Sequence, residues 1–157
     1  MRKGRIAIVW PANPGNAGPD MPLEEADVEA NIRELEKRGA VYWDSFPARN
    51  EIDYPINGYI YIAGKGQVEY KCRVEHVINL NRLREMSVEH KFIPKFRDQC
   101  LDGKFEDGRE HEPSNTWIKI SQINRLETPL KLGELRKLNG EQVERVQGGF
   151  VYIRDPF

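Results

Sequence analysis

Tryptophan and phenylalanine stand beside polar residues at two places in the sequence where an apolar segment ends. Trp10 ends the segment RIAIVW, and Trp43 and Phe46 lie together in VYWDSF. Aromatic side chains hold a flat ring by stacking on it, at about 1–3 kcal/mol per nucleic-acid base. Because a strand gives way to a loop at both places, we predict that these rings form the walls of a pocket. The alternative is that they belong to the core.

Polar side chains near these aromatics have the groups needed to recognise the edge of a flat ligand by hydrogen bonding. Asp44 is predicted to accept from an amine of such a ligand, while Asn13, Asn16 and Ser45 are predicted to contact its edge. Asn and Ser in turns also cap main-chain groups, which is the structural alternative. Two further aromatics share one face of a predicted strand and are expected to line the pocket or the interior of a barrel, Tyr59 and Tyr61.

Basic residues in two segments are predicted to hold phosphate groups. Arg49 follows the VYWDSF segment, and it has an alternative role as a partner of Asp44. The segment HKFIPKFR mixes positive charge with aromatic rings, as nucleic-acid-binding loops do, and contributes Lys91, Lys95 and Arg97. Its phenylalanines, Phe92 and Phe96, are either anchors of a solvated loop or a wedge that fills the gap left by a flipped base.

Several families of enzymes are excluded by missing motifs. The sequence has no GxxxxGK[ST] phosphate loop, no GxGxxG after a strand and no GxSxG nucleophile segment. His76, His90 and His111 are scattered, and Cys72 and Cys100 are not spaced as zinc ligands. The sequence therefore predicts no catalytic residue, no metal and no cofactor, and two thiols in a reducing compartment.

Charge composition argues against a protein that simply coats nucleic acid. The 157 residues include 24 Lys and Arg against 25 Asp and Glu, for a net charge of −1. Phosphate neutralisation alone would require a more basic chain, so selectivity is expected to come from a pocket. Neither a membrane span nor a signal peptide is apparent, and the predicted location is cytoplasmic.

Hydrophobic periodicity predicts strands and one helix in the first half of the chain. RIAIVW, AVYWDSF and NGYIYIAG are expected to be strands, with Asn57-Gly58 as an entry turn. A helix is predicted over 21–40, ending at Gly39 as a C-terminal cap. QVEYKCRVEHVI alternates, which predicts a strand with Val68, Tyr70, Cys72, Val74, His76 and Ile78 on its buried face.

The second half begins with a polar connection over 79–114, in which NLNRLREM has helical character. TWIKISQINRL is predicted to be a strand with Trp117 in the core, LKLGELRKL and GEQVERV short helices, and GGFVYI a final strand. This order predicts one α+β domain over 1–157, built on a curled mixed sheet or small β-barrel flanked by helices.

Four stretches in order resemble EVE domains, which belong to the PUA-like superfamily together with YTH and ASCH domains. IAIVWPANPGN resembles the opening strand and loop, and YWDSFPARN resembles the W-D…A-R-N signature with a shorter spacer. GYIYIAGKGQVEYKCRVEHVI takes the place of the following hairpin, and the segment from TWIKIS to GGFVYI resembles the EVE C-terminal part.

The resemblance implies a module that flips a modified base of nucleic acid into an aromatic pocket. YTH domains bind N6-methyladenine, and some EVE-like domains recognise DNA in McrB-type restriction systems beside an AAA+ motor. The implied target is modified double-stranded DNA, with N6-methyladenine favoured and 5-methylcytosine as the alternative base, and the implied partners are an AAA+ motor and a nuclease subunit. A methylated-RNA reader and an ASCH-type enzyme are the alternatives.

Overall fold

The computed structural model describes residues 5–12, 26–62, 66–104, 112–144, 146 and 149–157. Its strands are β1 (Ile6–Ala12), β2 (Val41–Ser45), β3 (Ile56–Ile62), β4 (Gln67–Asn79), β5 (Thr116–Lys131) and β6 (Val151–Arg154). Its α-helices are α1 (Ala26–Arg38), α2 (Leu80–Glu85) and α3 (Asp98–Asp102), with short 3-10 turns at Ser87–Phe92, Lys95–Arg97 and Leu132–Glu134.

The described strands form one mixed sheet in the order β2-β5-β4-β3-β1-β6. β1 runs parallel to β3, and the remaining neighbours pair antiparallel. The sheet curls into a half-barrel, so the expected α+β fold with a curled mixed sheet is confirmed at this level. None of the described helices has the length and apolar character needed to cross a bilayer.

The core lies on both faces of the curled sheet because successive strand residues point to opposite sides. On β1, Ile8 and Trp10 join the inner cluster, which α1 covers through Val28 and the partly buried Ile32 and Leu35. The outer face of β1 and β3 packs against the segment that follows β5. The outer face of β2 and β5 packs against α2 and the turns after it.

The end of β2 and the segment that follows it contact β6 and the residues just before it, and we name this contact the seam. It lies between residues 44–57 on one side and 149–155 on the other. A Cβ added to Gly149 would lie only 2.5 Å from Ser45 Oγ. Farther along, the Tyr152 hydroxyl donates to the Asn50 carbonyl oxygen at 2.6 Å. The seam therefore runs beside the whole segment that joins β2 to β3.

Most predicted elements are confirmed, including the C-terminal end of α1. Gly39 has a φ of +83°, and its N–H donates to the Leu35 carbonyl oxygen at 2.8 Å. The early part of the predicted helix, 21–25, and the hairpin tip, 63–65, lie outside the described residues. The segment 79–114 contains α2 as expected, followed by 3-10 turns and α3.

Three local predictions are wrong. Asn57-Gly58 is not an entry turn, because both residues pair within β3. On β4, the register shifts at Glu75, so Val77 joins the inner cluster while Ile78 faces the outer one. The two predicted helices after β5 are also absent from the described residues there, where only Leu132–Glu134 forms a 3-10 turn.

Candidate functional site

A cavity of about 170 Å³ opens at one end of the seam, where β1 and β2 end and the segment before β6 returns to the sheet. An apolar cavity of about 150 Å³ accommodates a benzene ring, so the volume suits a single planar ring system. Of the predicted base-binding residues, the cavity collects Trp10, Trp43, Asp44, Ser45 and Phe46. Its other lining residues are Pro11, Arg97, Ile118, Gly149 and Phe150.

Trp10 and Trp43 meet edge to face in the cavity wall, with ring centroids 5.7 Å apart and planes at 72°. They are only 3% and 4% exposed. Trp10 fits because β3 carries a glycine beneath it: a Cβ on Gly58 would lie 2.7 Å from Trp10 Cζ3 and 2.9 Å from Val74 Cγ2. Gly58 therefore sets the depth at which the Trp10 ring lies.

A buried ion pair forms the polar wall of the cavity. The Arg97 guanidinium donates to Asp44 Oδ1, and Ser114 Oγ donates to Asp44 Oδ2 at 2.6 Å. Burial on its own raises the pKa of the Asp44 carboxyl, but the Arg97 charge and the hydrogen bonds from Ser114 and Arg97 outweigh it and hold that pKa below its usual range. Asp44 is therefore ionised and acts as a fixed acceptor.

Arg97 also covers an aromatic surface. Its guanidinium carbon lies 4.6 Å from the Trp43 ring centroid and 5.3 Å from that of Phe96. Arginine stacks well on tryptophan because its planar cation faces the negative side of the ring. A ligand that stacks on this face of Trp43 must displace the guanidinium, which Asp44 holds from the other side.

Trp10 Nε1 and Ser45 Oγ are buried polar atoms of cavity residues that have no hydrogen-bond partner among the described residues. Buried polar groups in native proteins are rarely left unpaired, since each costs about 1–3 kcal/mol. Trp10 offers a donor, and Ser45 offers both a donor and an acceptor. Such polar atoms are expected in a binding site, where a bound molecule supplies their hydrogen-bond partners.

Phe46 stands at the mouth of the cavity and is 55% exposed. Its carbonyl oxygen accepts from the Asn115 main-chain N–H at 3.2 Å and from Asn115 Nδ2 at 3.0 Å, which fixes the backbone beneath the ring. An exposed phenylalanine on a fixed backbone provides an apolar rim to the cavity.

The structure places other predicted site residues away from the cavity. Tyr59 and Tyr61 lie in the outer cluster of β1 and β3 and do not line the cavity. The Tyr59 hydroxyl donates to Asp155 Oδ1 at 2.6 Å, and the Tyr61 hydroxyl accepts from the Val146 N–H at 3.1 Å. Both belong to odd positions of β3, whereas Ile60 and Ile62 face the inner cluster. Asn13 and Asn16 lie outside the described residues.

The predicted phosphate-binding set separates into different environments. Arg97 is buried in the cavity wall, where it pairs with Asp44. Arg49 donates to the Phe150 and Ala48 carbonyl oxygens at 3.3 and 3.0 Å beside a second hollow. Lys91 and Lys95 are exposed in the connection after α2.

The phenylalanines of that connection pack against the protein, as the interpretation of HKFIPKFR as an anchored loop predicts. Phe92 packs against the outer cluster of β2 and β5, with Lys119 Nζ 4.4 Å from its ring centroid. Phe96 is partly buried beside Arg97. Trp117 is fully buried as expected, and its Nε1 donates to the Ser114 carbonyl oxygen at 3.0 Å.

A second polar cluster lies on the outer face of β2, away from the cavity. The Tyr42 hydroxyl contacts His76 Nε2 at 2.8 Å and donates to Glu89 Oε1 at 2.9 Å, while Lys119 Nζ donates to the same oxygen at 2.7 Å. Burial raises the pKa of the Tyr42 phenol, and the bond to Glu89 raises it further. The cluster joins β2, β4, β5 and the turn after α2, so it is a structural network.

The cavity residues that sequence reasoning missed are distant in the chain from those it found. Phe150, Gly149 and Ile118 carry no local signal for a site, and Ser114 lies 70 positions from Asp44. Among the described residues, no group of three or more His, Cys, Asp or Glu side chains is arranged to hold a metal ion. Cys72 is buried, and Cys100 is partly buried with its side chain hydrogen-bonded to Asp44.

In comparisons with protein-family models, curated proteins and solved structures, nothing matches this chain significantly.

Proposed function

We propose that this chain binds nucleic acid containing a modified base and takes the base, flipped from the duplex, into the Trp10–Trp43 cavity. The observation that carries the proposal is the combination, in one cavity of about 170 Å³, of two edge-to-face tryptophans and two buried polar atoms that have no hydrogen-bond partner among the described residues. Modified double-stranded DNA is the favoured target, with N6-methyladenine favoured over 5-methylcytosine.

The energetics of this binding mode favour a small aromatic cavity over a basic surface. Flipping a base costs a few kcal/mol, and stacking on aromatic side chains returns about 1–3 kcal/mol per base. A methyl group adds apolar contact without needing a hydrogen bond. The near-neutral chain has little charge with which to gain affinity from phosphates, so the cavity must supply the selectivity.

Entry of a base requires a local rearrangement, because both tryptophans are almost fully covered. The Arg97 guanidinium occupies a face of Trp43, and it is itself planar, so a base that replaces it finds a surface already shaped for stacking. Asp44 remains as an acceptor for an exocyclic N–H, since each carboxylate oxygen can accept more than one hydrogen bond. Trp10 Nε1 and Ser45 Oγ then meet the ring edge.

The same features argue against the enzyme alternative. A general base that works near neutral pH needs a carboxyl whose pKa is raised, whereas the pKa of Asp44 is lowered by Arg97 and Ser114 against the effect of burial. Trp43 also lines the cavity. We therefore propose a binding module, and by resemblance to EVE domains we assign it to target recognition for a motor and a nuclease.

The test is a binding titration at one fixed salt concentration. Short DNA duplexes carry N6-methyladenine, 5-methylcytosine or no modification at one position, and a matched methylated RNA runs alongside. We expect at least a tenfold preference for one modified duplex, reduced to less than threefold in Trp43→Phe and Ser45→Ala. Equal binding to all duplexes overturns the proposal, and a preference for the RNA replaces DNA with RNA as the target.

Trp117→Phe is the matched control. Trp117 is a fully buried tryptophan on the same pair of strands, but it faces away from the cavity, and its indole N–H already has a partner. If Trp117→Phe lowers the preference as much as Trp43→Phe does, the effect comes from reduced stability and the cavity does not bind the base.

A further inference from the structure

Arg97 holds a flat cation against the aromatic wall of the cavity. Its guanidinium carbon lies 4.6 Å from the Trp43 ring centroid and 5.3 Å from that of Phe96, and its side chain is only 6% exposed. Aromatic faces attract cations through the negative potential of the ring, and the attraction grows when the cation is desolvated. The wall therefore already stacks on a planar, positively charged group.

Asp44 balances that cation inside the cavity. It pairs with the Arg97 guanidinium and accepts from Ser114 Oγ at 2.6 Å. Among the described residues that line the cavity, Asp44 and Arg97 alone carry a charge. Arg49 lies 5.8 Å from the Phe150 ring centroid but is not a lining residue. With Arg97 in place, the charges of the lining therefore cancel.

A base that stacks on this face of Trp43 displaces Arg97 and so removes the partner of a buried carboxylate. Removing one partner of a buried ion pair is strongly unfavourable, because the remaining charge loses its compensation. The hydrogen bond from Ser114 favours the ionised form of Asp44, so the charge remains. A neutral base leaves this charge uncompensated, whereas a cationic base exchanges one delocalised cation for another.

Two methylated bases carry the chemical group that Arg97 presents. 1-Methyladenine and 3-methylcytosine are cations at neutral pH, and their charge is shared between a ring nitrogen and the exocyclic amine in a planar N–C–N unit, as in guanidinium. Their exocyclic N–H groups can donate to Asp44. Because the methyl group blocks the pairing edge, such bases are also less costly to flip. Adenine keeps N3 and N7 as acceptors for the buried Trp10 Nε1–H.

We infer that the cavity prefers a base that is positively charged and methylated on its pairing edge, and that Asp44 is the residue that determines this specificity. The inference rests on the proposed function, in which Trp10 and Trp43 hold the flipped base. It adds that the charge of the base is recognised as well as its methyl group. N6-methyladenine keeps its place before 5-methylcytosine, and the cationic isomer of each binds more tightly.

Isomeric bases separate charge from size in the test. 1-Methyladenine and N6-methyladenine contain the same non-hydrogen atoms, as do 3-methylcytosine and 5-methylcytosine, but only the first member of each pair is a cation. Single-stranded DNA oligonucleotides of one sequence carry one of these bases, or its unmethylated parent, at a central position, so that no base pair has to be broken. Binding to the full chain at pH 7 and one fixed salt concentration is followed by fluorescence anisotropy.

We expect the cationic member of each pair to bind at least about tenfold more tightly than its neutral isomer. 3-Methylthymine is the control for the position of the methyl group, because it is methylated on the pairing edge and is neutral. It is expected to bind no more tightly than 5-methylcytosine. If a neutral isomer binds as tightly as its cationic partner, or if 3-methylthymine binds as tightly as 3-methylcytosine, the inference is overturned.

A double variant tests the role of Asp44. Asp44→Asn combined with Arg97→Met removes the carboxylate and its partner together, so the fold keeps no uncompensated charge there. In this variant each cationic base is expected to bind within about threefold of its neutral isomer. Asp53→Asn removes an exposed carboxylate and is expected to leave the ratio unchanged. An undiminished ratio in the double variant overturns the role of Asp44, and the comparison of isomers on the unaltered chain depends on no variant.

The two proposals fail in different ways. If no methylated base binds better than its unmethylated parent, the proposed recognition of a modified base is wrong and the inference falls with it. If N6-methyladenine or 5-methylcytosine is preferred over its parent but the cationic isomers are no tighter, only the inference is overturned. If the cationic bases alone are preferred over their parents, the inference is supported and the favoured base of the proposed function changes.

Discussion

Replacing Asp44 by Asn removes the negative charge from the buried ion pair at the cavity while keeping the shape of the side chain. Arg97 then retains its positive charge at 6% side-chain exposure, opposite a neutral amide. Ser114 Oγ also loses a charged acceptor. Since a guanidinium stays protonated at any ordinary pH, the variant must bury an uncompensated charge or pull Arg97 out of the fold.

The expected loss is large relative to the stability of a domain of this size. Breaking a buried pair by removing one partner costs about 3–5 kcal/mol, against a total free energy of unfolding of about 5–15 kcal/mol. With a urea dependence of about 2 kcal/mol per molar, the unfolding midpoint should fall by roughly 1.5–2.5 M. The loss of the cation–π contact adds to this when Arg97 leaves the Trp43 ring.

Urea unfolding at pH 7, followed by tryptophan fluorescence, measures the effect. Asp53→Asn is the matched control, because Asp53 pairs with Arg82 at 2.5 Å at the surface, where both side chains are well exposed. That pair should contribute no more than about 1 kcal/mol. If Asp44→Asn costs as little as Asp53→Asn, the account of the buried pair is wrong.

A second substitution identifies the cause of the loss. Asp44→Asn combined with Arg97→Met contains no uncompensated charge, so the double variant should recover most of the stability that Asp44→Asn loses. A double variant that is as unstable as the sum of the two single variants contradicts the explanation through burial of charge.

The same ion pair predicts that the folded chain loses stability as the pH becomes acidic. The folded-state pKa of Asp44 lies below the unfolded value of about 3.9, so its contribution is fully present above that pH and is lost as the pH falls through the lower, folded value. The wild-type chain should therefore lose stability more steeply than Asp44→Asn in this acid range, as measured by urea midpoints at successive pH values.

Three further outcomes are expected. Gly58→Ala should lower the free energy of unfolding by about 1–3 kcal/mol, because the new Cβ would lie 2.7 Å from the Trp10 ring. Gly133→Ala is the control and should be tolerated, since its Cβ would have no neighbour within 4 Å. Thermal unfolding of the two variants compares their stabilities. Burial and the Lys119 charge lower the pKa of His76 below 6.5, so folding stability should fall as the pH drops through about 6.5, and His76→Gln should flatten that dependence in unfolding curves. Burial raises the pKa of the Cys72 thiol, so alkylation followed by mass spectrometry should modify the partly buried Cys100 first and Cys72 only on unfolding.

Hydrophobic periodicity predicted the elements whose faces are set by local sequence. α1 follows its apolar spacing and ends at a glycine with positive φ. In β4, alternate residues face the inner cluster at Cys72 and Val74, as their spacing predicts. The extra residue Glu75 then exchanges the inner and outer faces of the strand. A one-residue shift exchanges the two faces of a strand, and pairing with β5, rather than the sequence of β4, determines where that shift falls.

The segment after β5 shows why short apolar spacings mislead. Leu132, Leu135, Val143 and Val146 recur at intervals that suggest helices, yet they pack one by one on the outer face of β1 and β3. The neighbouring Arg136 forms a bridge to Gln142 instead of a helical turn. A helix this short is only marginally stable by itself, so the apolar surface of the sheet decides the conformation.

The sequence by itself determined the tryptophans at the ends of β1 and β2 and the polar residues beside Trp43, because strand ends and turns are encoded locally. Only the tertiary structure decided that Arg97, 53 positions from Asp44, enters the cavity as its ion-pair partner, and that Phe150 closes it. It also decided that Tyr59 and Tyr61 face away, since the face that a strand turns inward is fixed by its neighbours in the sheet. Local spacing determines which residues lie at the end of a strand, whereas the curl of the sheet determines which strand ends lie next to each other.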